Sequence, residues 1–219
     1  ENSLDAGTAT YLFDVNTVNE TDIDSLSSIE NFTGTDFDDY IYAGDGDSVI
    51  LGGEGNDLLF GNDGDDTLTG GAGNDTMIGG IGQNTFNVDA GTDRINDFRN
   101  GDILRVSAGA TADVAGTSND FVATAATTND NGTVNIDVTT GHDVNMAGAT
   151  VETASEDGYN IDASGNADAS VLVGSAGDDV LSGGEVADTL TGGAGADTLT
   201  GGGGADTFVI RSMDDLVTL

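Results

Sequence analysis

The sequence has no cysteine, no proline, no tryptophan and no lysine. Without cysteine there are no disulfides and no thiolate metal ligands. The basic side chains are four arginines, Arg94, Arg99, Arg105 and Arg211, against 40 acidic ones, for a formal net charge of −36. Such a chain repels nucleic acid and anionic membranes, because both need a basic patch, and it attracts cations. No apolar run is long enough to span a bilayer, so membrane insertion is not expected. Aromatics make up 5% of the residues, which leaves little material for an ordinary core. A chain this poor in large apolar side chains and rich in flexible glycine needs an external staple, a metal or a partner or both. Glu1 opens the chain without a signal-peptide pattern and is expected to begin a fragment or a processed segment.

What the chain has is glycine, 35 residues of it, in a period of nine. From Gly52 it reads GGEGNDLLF, GNDGDDTLT, GGAGNDTMI and GGIGQNTFN, four units of the form G-G-x-G-x-D-x-U-x with U apolar. In this register position eight falls on Ile23, Phe32, Ile41, Ile50, Leu59, Leu68, Met77, Phe86, Ile95 and Leu104, all apolar. Position six is acidic at Glu30, Asp39, Asp57, Asp66, Asp75, Asp93 and Asp102, with Ser48 and Asn84 as interruptions.

A second array begins with GSAGDDVLS at Gly174 and continues as GGEVADTLT, GGAGADTLT and GGGGADTFV. Its position eight holds Leu172, Leu181, Leu190, Leu199, Phe208 and Val217; its position six holds Ser170, Asp179, Asp188, Asp197, Asp206 and Asp215. Leu104 and Leu172 are 68 residues apart, not a multiple of nine, so the arrays are out of phase. The stretch between them is rich in Ala, Thr and Val and alternates at Thr133–Val138, which reads as strand. Asn129–Gly132 reads as a hairpin turn. The expected fold is all-β: two parallel β-roll (β-solenoid) arrays joined by a small β insert. The boundaries are an N-terminal β segment over 1–22, a first roll over 23–105, a β-rich insert over 106–164 and a second roll over 165–219. Helix is not supported anywhere, save a short turn near Asp214.

Six of the nine positions are turn formers, so a unit is a turn of six followed by a strand of three. In that strand position eight points one way and its neighbours the other. Two units make an 18-residue coil, and coils stack as parallel strands about 4.8 Å apart. Stacking puts Asp39, Asp57, Asp75 and Asp93 along one edge, and Ser48, Asp66, Asn84 and Asp102 along the other. Stacked carboxylates repel unless a cation lies between them. Glycine lets the turn backbone adopt positive φ and aim carbonyl oxygens inward. The candidates for this role are Gly52, Gly53, Gly55, Gly61, Gly64, Gly70, Gly71 and Gly73 in the first array. In the second they are Gly174, Gly177, Gly183, Gly184, Gly192, Gly193, Gly195, Gly201, Gly202 and Gly204. Carboxylates plus carbonyls form an all-oxygen site, which suits Ca²⁺ better than Mg²⁺ because Ca²⁺ accepts more ligands in less regular geometry. The best-placed acid pairs are Asp39/Asp57, Asp57/Asp75, Asp75/Asp93, Asp179/Asp197 and Asp188/Asp206. Phe37 and Val186 stand where position four calls for glycine, and Ser48, Asn84 and Ser170 lack the acid, so weaker sites are expected there.

These nonapeptides resemble the RTX family of calcium-binding repeats, over about 23–104 and 165–217. Ser25–Thr35 is similar to the lead-in of such arrays, and Thr92–Phe98 with Gly101–Asp102 to their run-out. The resemblance implies a parallel β-roll with several Ca²⁺ ions in its turns. It also implies type I secretion from a Gram-negative bacterium, so that the protein is extracellular or on the cell surface. Asp214–Leu219 is similar to the family's C-terminal export signals.

No catalytic motif accompanies the repeats: there is no G-x-S-x-G elbow, HExxH or P-loop, and the single histidine, His142, reads as a surface loop residue. An enzyme is therefore not expected. The expected role is an extracellular calcium-binding structural protein that self-assembles into a surface layer, adhesin or matrix fibre. Its expected partners are calcium, copies of itself and a cell-surface polysaccharide. The alternative is the calcium-folding C-terminal part of a secreted protease, lipase or toxin. A soluble calcium buffer is a third, weaker reading.

Overall fold

The computed structural model describes residues 31–116, 119–139, 141–151 and 158–210. Ile23, Glu30, the 1–22 segment, most of the lead-in and the Asp214–Leu219 signal lie outside the described residues, as do Asp215 and Val217.

Strands β1 (Asn31–Thr33), β2 (Tyr40–Tyr42), β3 (Val49–Glu54), β4 (Leu58–Phe60), β5 (Thr67–Ala72), β6 (Thr76–Ile78), β7 (Thr85–Val88), β8 (Thr92–Ile95) and β9 (Ile103–Val106) alternate between two sheets. In most of the three-residue strands one apolar residue lies between two neighbours of high strand preference, and burial alternates accordingly, as in Thr76-Met77-Ile78. Coil after coil, the inward residue meets its equivalent 18 positions on: Ile41 pairs with Leu59 and Leu59 with Met77 in one sheet, Ile50 with Leu68 and Leu68 with Phe86 in the other. Leu59, Leu68, Met77 and Phe86 are fully buried, and each side chain of this size contributes about 1.5–3 kcal/mol relative to exposure.

The stretch between the arrays continues the same stack. Its strands β10 (Thr111–Val114), β11 (Phe121–Val122), β12 (Thr128–Asn129), β13 (Thr133–Asp137), β14 (Val144–Asn145) and β15 (Thr150–Val151) are distributed over three sheets, so the coil here has three sides instead of two. From β16 (Asn160–Asp162), at the end of this stretch, through the second array, β17 (Val171–Val173), β18 (Val180–Ser182), β19 (Thr189–Thr191), β20 (Thr198–Thr200) and β21 (Thr207–Phe208) alternate between two sheets again. One sheet, of nine strands from β2 to β20, runs through all three regions; a seven-stranded sheet ends at β15, and a five-stranded sheet that starts at β11 replaces it. All strand pairs in these sheets are parallel, and no described residue is helical. The fold is thus an all-β solenoid of stacked parallel coils.

The phase break has its cause here. Along the nine-stranded sheet the inward ladder lengthens from 18 residues per coil to 19 between Ile95 and Val114, 22 between Val114 and Ile136 and 25 between Ile136 and Ile161. It shortens to 20 between Ile161 and Leu181, and returns to 18 between Leu181 and Leu199. The third side is inserted and then one of the original sides is dropped. Phe98, Phe86 and Phe121 fill the corner where the third side opens, with ring centroids 6.1 Å apart for Phe86–Phe98 and 4.4 Å for Phe98–Phe121. The turn expected at Asn129–Gly132 is present, with Asn131 at φ +54°, but it does not form a hairpin. It carries the chain from β12 in one sheet to β13 in another. The flanking strands find parallel partners one coil away, which an antiparallel hairpin would forfeit.

Candidate metal centre

The position-six acids line the two edges in the order the repeat predicts. The amide of Asp39 donates to Asp57 Oδ1 (2.8 Å), that of Asp57 to Asp75 Oδ1 (2.8 Å) and that of Asp75 to Asp93 Oδ1 (3.1 Å). On the other edge Ser48, Asp66, Asn84 and Asp102 are linked in the same way. In the second array the links run from Asp179 to Asp197 and from Asp188 to Asp206, each at 3.0 Å. Every one of these acids is at most 4% exposed except Asp206, which is half-buried in the last described coil. Each of these carboxylates thus spends Oδ1 on the coil before it, except Asp39, whose Oδ1 is buried without a partner.

The second oxygen differs from site to site. Oδ2 of Asp57, Asp66, Asp75 and Asp93 is buried without a hydrogen-bond partner. A buried carboxylate oxygen in this state is costly unless a cation meets it. Main-chain oxygen lies next to it: a methyl group added at Gly52 would overlap both Asp57 Oδ2 and the carbonyl oxygen of Gly70, and one at Gly61 both Asp66 Oδ2 and the carbonyl oxygen of Gly79. Gly174 and Gly183 stand in the same relation to Asp179 with Gly192 and to Asp188 with Gly201; Gly70, Gly192 and Gly201 stand against Asp75, Asp197 and Asp206. Position one is therefore glycine because the space where a Cβ would sit is lined by oxygen. Position-two glycines Gly53, Gly71, Gly193 and Gly202 and position-four glycines Gly55, Gly64, Gly73, Gly195 and Gly204 have left-handed φ, whereas Gly184 does not, and Gly177 is not among the left-handed glycines.

Burial drives the electrostatics. Desolvation pushes Asp57, Asp66 and Asp102 up to about 6 and Asp93 and Asp179 up to about 7, against the hydrogen bonds from neighbouring amides that lower them. Asp75 moves in the same direction for the same reason. Among the described residues no three His, Cys, Asp or Glu side chains converge as a metal cluster. The donors that fit an ion here are one acid oxygen and main-chain carbonyls from adjacent coils, all hard oxygen, as Ca²⁺ requires.

Two features escape the nine-residue reading. Position five carries its own ladder in the opposite direction: Asp38 Oδ1 accepts from Asn56 N (2.7 Å), Asp47 Oδ1 from Asp65 N (2.9 Å) and Asn56 Oδ1 from Asn74 N (3.0 Å). The recurrence of Asp or Asn at 38, 47, 56, 65 and 74 was the available signal. The second is Asp97, which accepts from the amides of Gly79 (2.9 Å) and Gly80 (2.6 Å) and pairs with Arg99 at 3.1 Å. There a guanidinium supplies the positive charge at the end of the first array. His142 lies on the surface 3.5 Å from Asp120.

The family model described as RTX calcium-binding nonapeptide repeat matches in four copies, at residues 33–68, 60–95, 164–185 and 183–209. No curated protein and no solved structure matches the chain. RTX nonapeptide repeats bind calcium and are typical of proteins secreted by Gram-negative bacteria. No helix among the described residues is long and apolar enough to cross a membrane.

Proposed function

Because this chain belongs to the RTX calcium-binding nonapeptide repeat family, we propose that it is an extracellular structural protein that folds on calcium and then associates with copies of itself into a layer or fibre. The observation that carries the reading is the set of buried, unpartnered carboxylate oxygens of Asp57, Asp66, Asp75 and Asp93 beside main-chain carbonyls. On this reading residues 23–105 and 165–219 are the calcium rolls and 106–164 is a spacer that needs no ion. The ligands are the position-six acids with carbonyls of the turn glycines. The ion offsets the repulsion of stacked acids and meets oxygens that the protein leaves unmet, so binding and folding are one event. A chain held unfolded where calcium is scarce and folded where it is abundant suits export.

Association is supported by exposed apolar side chains, Ile81 at 66% being the most exposed of them. Phe37, Tyr40 and Tyr42, in the first described coils, are more than half exposed, and Ile210 near the other end is 44% exposed. Solenoid ends also present strand edges to a second copy. The high negative charge keeps calcium-free chains apart, so the ion that folds each roll also permits contact. Head-to-tail contacts that do not close give fibres or sheets. Light scattering and electron microscopy across a calcium titration test this: assembly above the folding midpoint is expected. A folded, monodisperse monomer at millimolar calcium and high protein concentration would overturn assembly and favour the calcium-folded part of a secreted enzyme or toxin.

A further inference from the structure

The position-six acids divide by what meets their second oxygen. Oδ2 of Asp39, Asp179 and Asp188 accepts the amide of the position-two residue of its own turn, from Thr35 (2.5 Å), Ser175 (2.7 Å) and Gly184 (2.7 Å); Oδ1 of Asp179 and Asp188 is met as well, by the amides of Tyr159 and Ser170, whereas Asp39 Oδ1 stays buried without a partner. The hydroxyls of Thr35 and Ser175 add bonds to the same carboxylates at 3.0 and 3.2 Å. In the turns of Asp57, Asp66 and Asp75 position two is Gly53, Asn62 or Gly71, with φ of +123°, +72° and +104°. Position four is Gly55, Gly64 or Gly73, also left-handed. In these turns no position-two amide meets Oδ2, which stays buried and unpartnered.

Gly184 shows that glycine at position two is not enough. Its turn has Val186 at position four and stays closed. Asp39's turn has Phe37 there. A β-branched or bulky residue resists left-handed φ, and without that rotation the position-two amide remains on the acid. In the turn of Asp179 position four is a glycine, Gly177, but position two is Ser175, whose Oγ accepts the Gly177 amide (3.1 Å) and holds the turn shut.

Closed and open turns are not scattered. The described first array starts with Asp39, closed at Oδ2 alone, and neutral Ser48 before the open run from Asp57. The second starts with neutral Ser170 and closed Asp179 and Asp188, before the turns of Asp197 and Asp206, whose position-two and position-four glycines are all left-handed. Building on the calcium reading above, we propose that the second array opens with self-sealed turns, those of Asp179 and Asp188, that hold no ion of their own. These coils form a calcium-independent ledge on which the ion-requiring coils stack, and among turns that carry the acid, positions two and four decide which take calcium.

The test is the calcium stoichiometry of the full chain, read by equilibrium dialysis, with circular dichroism in excess calcium as the fold control. Val186→Gly makes the Asp188 turn permissive at both positions and is expected to raise the number of bound ions by one. Asp188→Asn is expected to leave the wild-type number unchanged but to abolish the gain in the Val186→Gly background. Asp75→Asn is expected to lower the number by at least one; Asn84 already occupies position six in the native array, so the side chain is compatible with the turn. An unchanged stoichiometry in Val186→Gly, or equal losses in Asp188→Asn and Asp75→Asn, would overturn the proposal while leaving the calcium reading intact. A wild-type chain that binds no calcium would instead sink the calcium reading itself.

Discussion

One buried edge of the rod is built twice in different chemistry. In the first array it carries Asp39, Asp57, Asp75 and Asp93. One coil on, Asp93 pairs with Ala112 and Ala112 with Val134. Val134 and Tyr159 then stand just before the paired Asn135 and Asn160, and the amide of Tyr159 donates to Asp179 Oδ1 at 2.7 Å, where acids resume. Ala112, Val134 and Tyr159 are as buried as the acids they replace. The neighbouring corner of the middle region uses an amide: Asn129 Nδ2 donates to the carbonyl of Gly158 (2.9 Å) and its Oδ1 accepts from Gly132 N (2.9 Å). A carboxylate only accepts, so a column of them runs short of donors; an amide offers both and an apolar side chain asks for neither. The same parallel sheet can be sealed by ions or by ordinary packing. Only the first choice makes folding conditional on the surroundings.

The largest effect that separates the two regions is calcium removal. In EGTA the arrays are expected to lose their strand signal, and to regain it as calcium rises through about 10⁻⁴–10⁻³ M, the range of extracellular modules. Each site contributes about 2.7 kcal/mol when calcium exceeds its dissociation constant about 100-fold. Circular dichroism reads this directly, and a chain fully folded in EGTA would break the contrast.

Next in size is a single acid. Asp57→Ala removes an unpartnered buried oxygen together with the acceptor for the Asp39 amide, and is expected to shift the calcium midpoint of folding several-fold upward. Asp113→Ala, in the middle region, costs only the 2.6 Å bond from Asn135 Nδ2, about 0.5–1.5 kcal/mol, and should leave the midpoint nearly in place. Equal midpoints would argue against the register.

Acid should mimic the ion in part. The folded carboxyls of Asp57, Asp66 and Asp102 lie near 6 and those of Asp93 and Asp179 near 7, above their ordinary value of 3.8. A folded value above the unfolded one means that protonation favours the fold. The benefit is complete below the unfolded value and is lost as pH rises through about 6–7. Without calcium, acidification from about pH 8 to about pH 5 is therefore expected to restore part of the strand signal. Calcium affinity should fall over the same window, because proton and ion compete for one oxygen. A calcium-free chain that loses structure on acidification would contradict the burial of these acids.

The smallest effect tests the middle region by itself. Asn129→Ala leaves the amide of Gly132 and the carbonyl of Gly158 without their side-chain partner. It is expected to lower stability at saturating calcium by about 1–3 kcal/mol without moving the calcium dependence, as urea melts at several calcium concentrations would read. A calcium midpoint that moves with this substitution would tie the middle to the ions.

Much of this architecture was legible in the chain. Position eight from Phe32 to Leu104 and from Leu172 to Leu190 is the buried ladder, and the edges of Asp39–Asp93 and Ser48–Asp102 stack as an 18-residue coil requires. The weak positions at Phe37 and Val186 mark turns that the structure closes. The region from 106 to 164 was legible as strand but not as a continuation of the rod, because its coils of 19, 22 and 25 residues have no common period. The hairpin expected at Asn129–Gly132 failed for a related reason: local turn chemistry sets where the chain bends, not which strand it meets next.

The sequence by itself determined the period, the inward face of each strand and the oxygen-only donor set, because these follow from residue type at fixed spacing. Only the tertiary structure decided that one nine-stranded sheet joins both arrays and that the coil widens to three sides between them. It also decided which acids are met by their own turn and which are left open. Those outcomes depend on backbone φ at two positions together and on hydrogen bonds between residues a full coil apart, neither of which one repeat contains.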